Sequence, residues 1–360
     1  NGIRYLSMPP QLRSRLSAAG FSLVLTAGGT EVTRFGNITV TKAVDGLGTS
    51  GICTSQLSFE TPAPFNAYRA APVVLTGVSG VGKYYIDSRS QSGGVVTVTC
   101  LDRMAFSDED FPYASIDSSV PKNVPINTVM DLIVRTVGEL TGWGGIPSWL
   151  TSISRTELQE TCSDILTKIS EACCGVFYIT DEQNLQFLPY GNTSGQVNAD
   201  VHTALDVGCE FTATGIKCTD GAANVITRGA ASRKYDSICI ASELITDSGC
   251  EEIWGRAENY THAAYSCQRC RLDGIPPTGG TVNFAGSGIM RAGSVTASIS
   301  KAGIFAEVSN PEPSDSEIGM RGRNLRESDS KVRYGRSGAM MFTKYQGVVM
   351  VDGEEKVNSG

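Results

Sequence analysis

The stretch Val81–Ala105, VGKYYIDSRSQSGGVVTVTCLDRMA, constrains the fold more than any other part of this chain. Tyr84, Ile86 and Ser88 alternate with Tyr85 and Asp87. After the Ser-Gly-Gly turn, Val96, Val98 and Cys100 alternate with Val95, Thr97, Thr99 and Leu101. This period of two predicts a pair of half-buried antiparallel strands. The second strand runs straight into Asp102-Arg103-Met104, a charged corner with no catalytic constellation beside it.

The same rhythm extends on both sides. Strands are expected at Phe21–Thr26, Asn37–Val44, Gln56–Glu60, Val73–Val78, Lys83–Asp87 and Val95–Leu101, punctuated by Gly and Pro, which fits a small antiparallel barrel. The period then changes. Ile126, Val129, Met130, Ile133, Val137 and Leu140 follow helical spacing, with Asn123 or Pro125 to begin the helix and Gly142 or Gly144-Gly145 to stop it. A second helix is signalled by a capping box at Ser154 and Glu157, an apolar face of Leu158, Cys162, Ile165, Leu166 and Ile169, and an end at Cys174-Gly175. A hairpin of Val176–Thr180 with Leu185–Leu188 follows. Strand character returns at Glu210–Cys218, Ala223–Arg228, Ser237–Ile240, Thr281–Phe284 and Ser294–Val308, and Ile253–Arg271 reads as one helix with Ile253, Ala257, Tyr260, Ala264 and Cys267 on one face.

The fold class expected is therefore α+β and β-rich: two small antiparallel β-barrel domains around a helix–hairpin module. The boundaries are 1–20 for an N-terminal helical segment, with Leu12, Leu16 and Ala19 as its apolar face, then 21–122 for the first barrel. The module spans 123–192, the second barrel 193–310, and an extended C-terminal arm 311–360 with strand-like pieces at Ala339–Phe342 and Gly347–Val351. An isolated arm of that composition cannot bury enough apolar surface to order itself, whereas one lying on another subunit can.

Three of these segments carry a resemblance. Tyr84-Tyr85-Ile86-Asp87 followed by Leu101-Asp102-Arg103-Met104, the run Cys53–Glu60, and Ser154–Leu158 leading to Gly175–Ile179 and Asn184–Leu188 together resemble the tail hub proteins of long-tailed bacteriophages, related to the spike-hub proteins of contractile injection systems. The resemblance reaches from about residue 35 to 190. It implies a structural virion protein of the tail or baseplate: three copies, each with two barrels, forming a ring that joins a sixfold tail tube to the tail tip around a channel. The implied partners are other copies of the chain, the tail tube and other tail-tip proteins, with DNA only as passing cargo and assembly in the bacterial host cytoplasm.

Composition agrees with a non-enzymatic, built protein. Forty glycines, 41% hydrophobic and only 19% charged residues favour β-rich architecture. A net charge of −7 argues against a dedicated nucleic-acid binder, which needs a basic face. No apolar run is long enough to cross a membrane as a helix, so no stable membrane insertion is expected, and Asn1 in place of Met suggests a processed or truncated chain. Eleven cysteines, an odd number in a chain this long, read as reduced thiols, with Cys100 an inward-facing small hydrophobe.

Chemical motifs weigh little against this reading, and no cofactor is expected. Gly77–Lys83 has the spacing of a phosphate-binding loop, but Tyr84 replaces the Mg²⁺-binding hydroxyl and a strand follows where a helix is needed. Cys267-Gln-Arg-Cys270 is half a zinc site without a second half, even counting Cys173, Cys174 and His262, and it lacks the setting of a redox motif. Two histidines, His202 and His262, leave little room for a serine or cysteine hydrolase. The acidic clusters Asp108-Glu109-Asp110 and Glu251-Glu252 keep a cell-wall glycosidase as an alternative. A glycan-binding adhesin is a further one, for which Trp143, Trp149 and Trp254 are too scattered to form a platform. The polar residues that stand out are Asp87, Asp102 and Arg103, expected to fix the barrel corner by local pairing or to set the register between subunits.

Overall fold

In the computed structural model Val95–Leu101 is a strand at the middle of a sheet much larger than one barrel wall. The structure describes residues 23–44, 46–116, 122–203, 205–230 and 237–312, and the short strands Arg333–Tyr334, Met340–Met341, Val348–Val351 and Glu354–Val357 beyond them. The expected N-terminal helix lies outside the described residues, as does most of the expected C-terminal arm.

In chain order the strands are β1 (Val24–Ala27), β2 (Thr30–Glu31), β3 (Gly36–Ala43), β4 (Gln56–Pro62), β5 (Pro72–Thr76), β6 (Lys83–Ser92) and β7 (Val95–Leu101). The module follows: β8 (Asn123–Pro125), α1 (Ile126–Val137), β9 (Gly142–Gly144), β10 (Ser152–Ser154), α2 (Cys162–Cys173), β11 (Gly175–Ile179) and β12 (Asn184–Pro189). Next come β13 (Gln196–His202), β14 (Leu205–Thr212), β15 (Gly215–Thr219), β16 (Val225–Gly229), β17 (Ser237–Ala241) and α3 (Asp247–Ala257). The last are β18 (Thr261–Leu272), β19 (Thr281–Phe284), β20 (Gly288–Arg291), β21 (Ser294–Ser300) and β22 (Gly303–Asn310).

The chain is α+β and β-rich, as its rhythm predicts, and among the described residues its strands join in open sheets with no closed barrel. One fourteen-stranded sheet runs β2-β1-β5-β6-β7-β4-β3-β21-β22-β18-β13-β19-β20, with β14 added to β18. Its seam is β3 against β21, in register from Ala43↔Ser294 to Ile38↔Ile299. The path ends at β2 and β20 and does not close on itself among the described residues. Alternation places Leu57, Phe59, Val98 and Cys100 from one half, and Val295, Ala297, Ile304 and Val308 from the other, in a single apolar core. Each large side chain buried there contributes about 1.5–3 kcal/mol.

A second core lies inside the module, where Val129, Met130 and Ile133 of α1 meet Ile165, Leu166 and Ile169 of α2 and Phe177 and Phe187 of the β11–β12 hairpin. A third joins β15, β16 and β17 to α3 through Ile216, Ile238 and Ile253.

Several boundaries move for local reasons. Helix α1 ends at Gly138, whose φ of +73° suits glycine, while Gly142 and Gly144, expected as stops, form β9 alongside β12. Helix α2 begins at Thr161, not Ser154: the Thr161 hydroxyl accepts from Asp164 N and Asp164 reaches back to Thr161 N, whereas the Ser154 hydroxyl bonds Thr156 Oγ1. Thr161→Ala is therefore expected to lower stability by about 1 kcal/mol in urea denaturation, and Ser154→Ala by much less. Glu210–Cys218 is two strands, β14 and β15. The expected helix Ile253–Arg271 is half wrong, since α3 stops at Ala257 and Thr261–Leu272 is β18, hydrogen-bonded to β13, β14 and β22.

Candidate corner and subunit-contact site

Strand β6 buries Tyr84, Tyr85 and Ile86 in succession, so its first half is covered on both faces, while Ser88–Ser92 are exposed. Tyr84 and Ile86 enter the sheet core. Tyr85 turns to the other side, where it packs edge-on against Phe106 at 5.6 Å.

Strand β7 ends at Leu101, and Asp102 then makes the corner. It is 4% exposed. Its Oδ2 accepts from Ser55 N at 2.7 Å and its Oδ1 from Met104 N at 3.0 Å, while its own N–H donates to Ser55 O at 2.9 Å. The carboxylate thereby caps the one-turn 3₁₀ helix Arg103–Phe106 and ties it to the chain entering β4. Burial raises the Asp102 carboxyl to about 7, against the opposing pull of its Ser55 and Met104 hydrogen bonds and of the Lys42 charge. The folded value thus lies above the unfolded one. The stability that neutral Asp102 contributes is full below the unfolded value near 3.8 and declines as pH rises through about 7. Urea denaturation at pH 5 and pH 8 is expected to show this decline in the native protein and its absence in Asp102→Ala.

Arg103 points across the corner. Its Nε donates to Val137 O at 2.7 Å and Gly138 O at 3.0 Å, satisfying carbonyls at the C-terminus of α1, and its guanidinium lies over the rings of Phe106 at 4.2 Å and Tyr85 at 4.9 Å. Beyond it, the Tyr85 hydroxyl donates to Glu139 Oε2 at 2.8 Å, and Lys83 pairs with the same carboxylate oxygen. The Lys83 bond holds Glu139 below the usual carboxylate range, and Glu139 in turn raises Lys83. The corner is a latch between the sheet and the module. Lys42 of β3 adds a second tie, reaching Asp181 of the β11–β12 turn at 3.2 Å beside a cavity of about 370 Å³.

Asp87 stands apart from this group. It sits at a bulge in β6, between Ile86 and Ser88, and faces Arg69 at 3.4 Å on the surface. Asp102 and Arg103 are thus brought together, while Asp87 is not. Lys83, Tyr85, Ser55 and Glu139 belong to the site and were not singled out by sequence. Nothing near Glu139 in the chain signals its partner, because Lys83 lies 56 positions away.

The other motifs have structural occupations. Gly77–Gly82 is the β5–β6 connection, Lys83 opens β6, and Gly80, at φ +80°, lies so near Ile275 that an added Cβ would stand 1.9 Å from its carbonyl oxygen. Glu251 and Asp247 pair with Arg228, and Glu252 pairs with Arg256. Asp108 accepts from the Ser163 hydroxyl. His262 is fully buried with Nε2 2.7 Å from Pro311 O. Trp143 donates to Asp131, Trp149 packs over Gly249 and Trp254 over Gly229. The ten cysteines other than Cys209 are free thiols.

Solved structures with this architecture exist. The 43 kDa tail protein of prophage MuSo2 from Shewanella oneidensis superposes with a TM-score of 0.52 over 82% of this chain and 99% of its own, at 16% identity. The fold is that of prophage tail proteins. A tail protein from Neisseria meningitidis gives 0.53 over 82% and 98% at 12% identity. A prophage tail protein from Listeria monocytogenes gives 0.51 over 82% and 96% at 12% identity. The tail-protein likeness extends well beyond the 35–190 span of the sequence resemblance. No protein-family model matches the sequence, and no curated protein matches it.

Proposed function

We propose that this chain is a structural hub of a phage tail or baseplate, building a ring around a channel between the tail tube and the tail tip. The observation that carries the reading is the fold, shared over four-fifths of the chain with three tail proteins that it matches over nearly their whole length. Three copies are the expected ring, with the halves of the sheet on either side of the β3–β21 seam serving as the two barrel-like modules per copy. The tail tube and other tail-tip proteins are its partners. DNA passes through as cargo, and the particle assembles in the host cytoplasm.

The sheet supports this role by leaving strand edges open: β2, β20 and β14 each have one neighbour among the described residues. An open edge offers unpaired N–H and C=O groups to another chain. Ile289 on β20 is 61% exposed, which adds an apolar contact at that edge. Asp87, on the surface beside Arg69, is the residue assigned to register between copies. Asp102 and Arg103 act within the copy, holding the corner on which that surface is built. Among the described residues no helix is long and apolar enough to cross a membrane.

Light scattering and particle imaging of the purified chain test the reading. Rings of three copies, or co-purification with tail proteins, are expected. A stable monomer that does neither sinks the hub, and robust peptidoglycan clearing lost on mutating one acidic cluster replaces it with the hydrolase.

A further inference from the structure

The pair Cys267 and Cys270 has no part in the corner or in the assembly surface, yet its geometry is unusual. Both lie on β18, the strand with three hydrogen-bonded neighbours, and both are buried, at 0% and 1% exposure. On a regular strand, residues three apart point to opposite faces. Here the register against β22 shifts between them: Cys267 faces Val308 and Cys270 faces Ala306, so Gln268 and Arg269 bulge outward and the two thiols return to the same inner face. Their partners are two residues apart, a rise of about 6.6 Å along a strand. The bulge thus draws the pair closer along the strand than residues three apart on a regular strand. Each thiol is the other's strongest electrostatic neighbour, and the Cys270 thiol donates to Ala306 O at 3.4 Å.

We propose that Cys267 and Cys270 form an oxidation site, closing to an intrachain disulfide when the protein meets a peroxide. The Cys267 thiolate attacks one peroxide oxygen, the O–O bond breaks, and hydroxide leaves, giving a sulfenic acid at Cys267. Cys270 sulfur then attacks the Cys267 sulfur as its own proton is lost, the S–O bond breaks, and water leaves. Two thiols are oxidised and one peroxide is reduced to two waters. The pair is differentiated for these roles. The neighbouring Cys270, with help from Arg269 N and Thr203, lowers Cys267 against burial, while Cys267 raises Cys270. Closing the disulfide fixes the bulge and pins β18 between β13, β14 and β22.

The test treats the purified full chain with hydrogen peroxide, alkylates it under denaturing conditions, and maps the peptides. The result expected is a peptide carrying Cys267 and Cys270 that is 2 Da lighter and unalkylated, while Cys173, Cys174 and the exposed Cys239 remain alkylated. The rate should rise with pH as the Cys267 thiol ionises. In Cys270→Ser the reaction should stop at a sulfenic acid on Cys267 that dimedone traps. Full alkylation of both cysteines after peroxide overturns the proposal, as does loss of alkylation at the buried cysteines without preference. The native-chain mapping decides the matter even if the variant does not fold.

Discussion

Asp102→Ala is expected to lower the unfolding free energy by about 3 kcal/mol, one of the two largest losses anticipated in this chain. The substitution leaves Ser55 N and Met104 N buried without an acceptor, at about 1–3 kcal/mol each, and removes the cap of the turn that carries Arg103. Part of the loss is offset above pH 7, where the native carboxylate is charged in a buried place, so the deficit should be larger at pH 5 than at pH 8. Urea denaturation at both values measures it. Asp87→Ala, which removes only a surface pair, should change stability by less than about 0.5 kcal/mol and serves as the control. Equal effects of the two substitutions would show that the corner is not held by Asp102.

Gly80→Ala should cost as much or more, about 3 kcal/mol, and its cause can be separated from backbone strain. Gly80 and Gly29 have nearly the same φ, +80° and +79°, so alanine meets a similar conformational penalty at both, about 1–2 kcal/mol. At Gly29 nothing lies within 4 Å of the new Cβ, whereas at Gly80 it would stand 1.9 Å from Ile275 O and break the Ile275 N to Ser79 O bond at 3.0 Å. The difference between the two variants in thermal or urea unfolding is the price of separating the β5–β6 loop from the segment before β19. A Gly80→Ala variant no worse than Gly29→Ala would mean that this contact yields freely.

How much of this was legible depended on whether the signal was local. Val95–Leu101 and Thr281–Phe284 alternate without interruption, and both strands fall where the pattern puts them. Thr261–Leu272 was hidden because the outward pair Gln268-Arg269 breaks its period of two, leaving Ala264 and Cys267 to mimic the helical spacing that begins at Ile253. Ser154 and Glu157 imitate a capping box a few residues before the true one at Thr161 and Asp164, and no composition rule separates them. The decision lies in tertiary contacts, since Glu157 pairs with Lys168 on α2. At the corner, Asp102 and Arg103 stand out as charges closing an apolar strand. Their partners at Ser55, Val137 and Gly138 come from distant turns of the chain, and nothing in the local pattern announces them.

The β3–β21 seam also sets the order in which the molecule can be made. Ile38 leaves the ribosome about 260 residues before Ile299, yet they are register partners. Until β21 and β22 emerge, β3 has an unpaired edge and the first half of the sheet lacks the wall of its core that they supply. Such distant pairing slows folding and leaves an aggregation-prone edge waiting during synthesis. A chain halted just after β20 would hold twelve of the fourteen strands of the large sheet and still lack the pair that unites its halves.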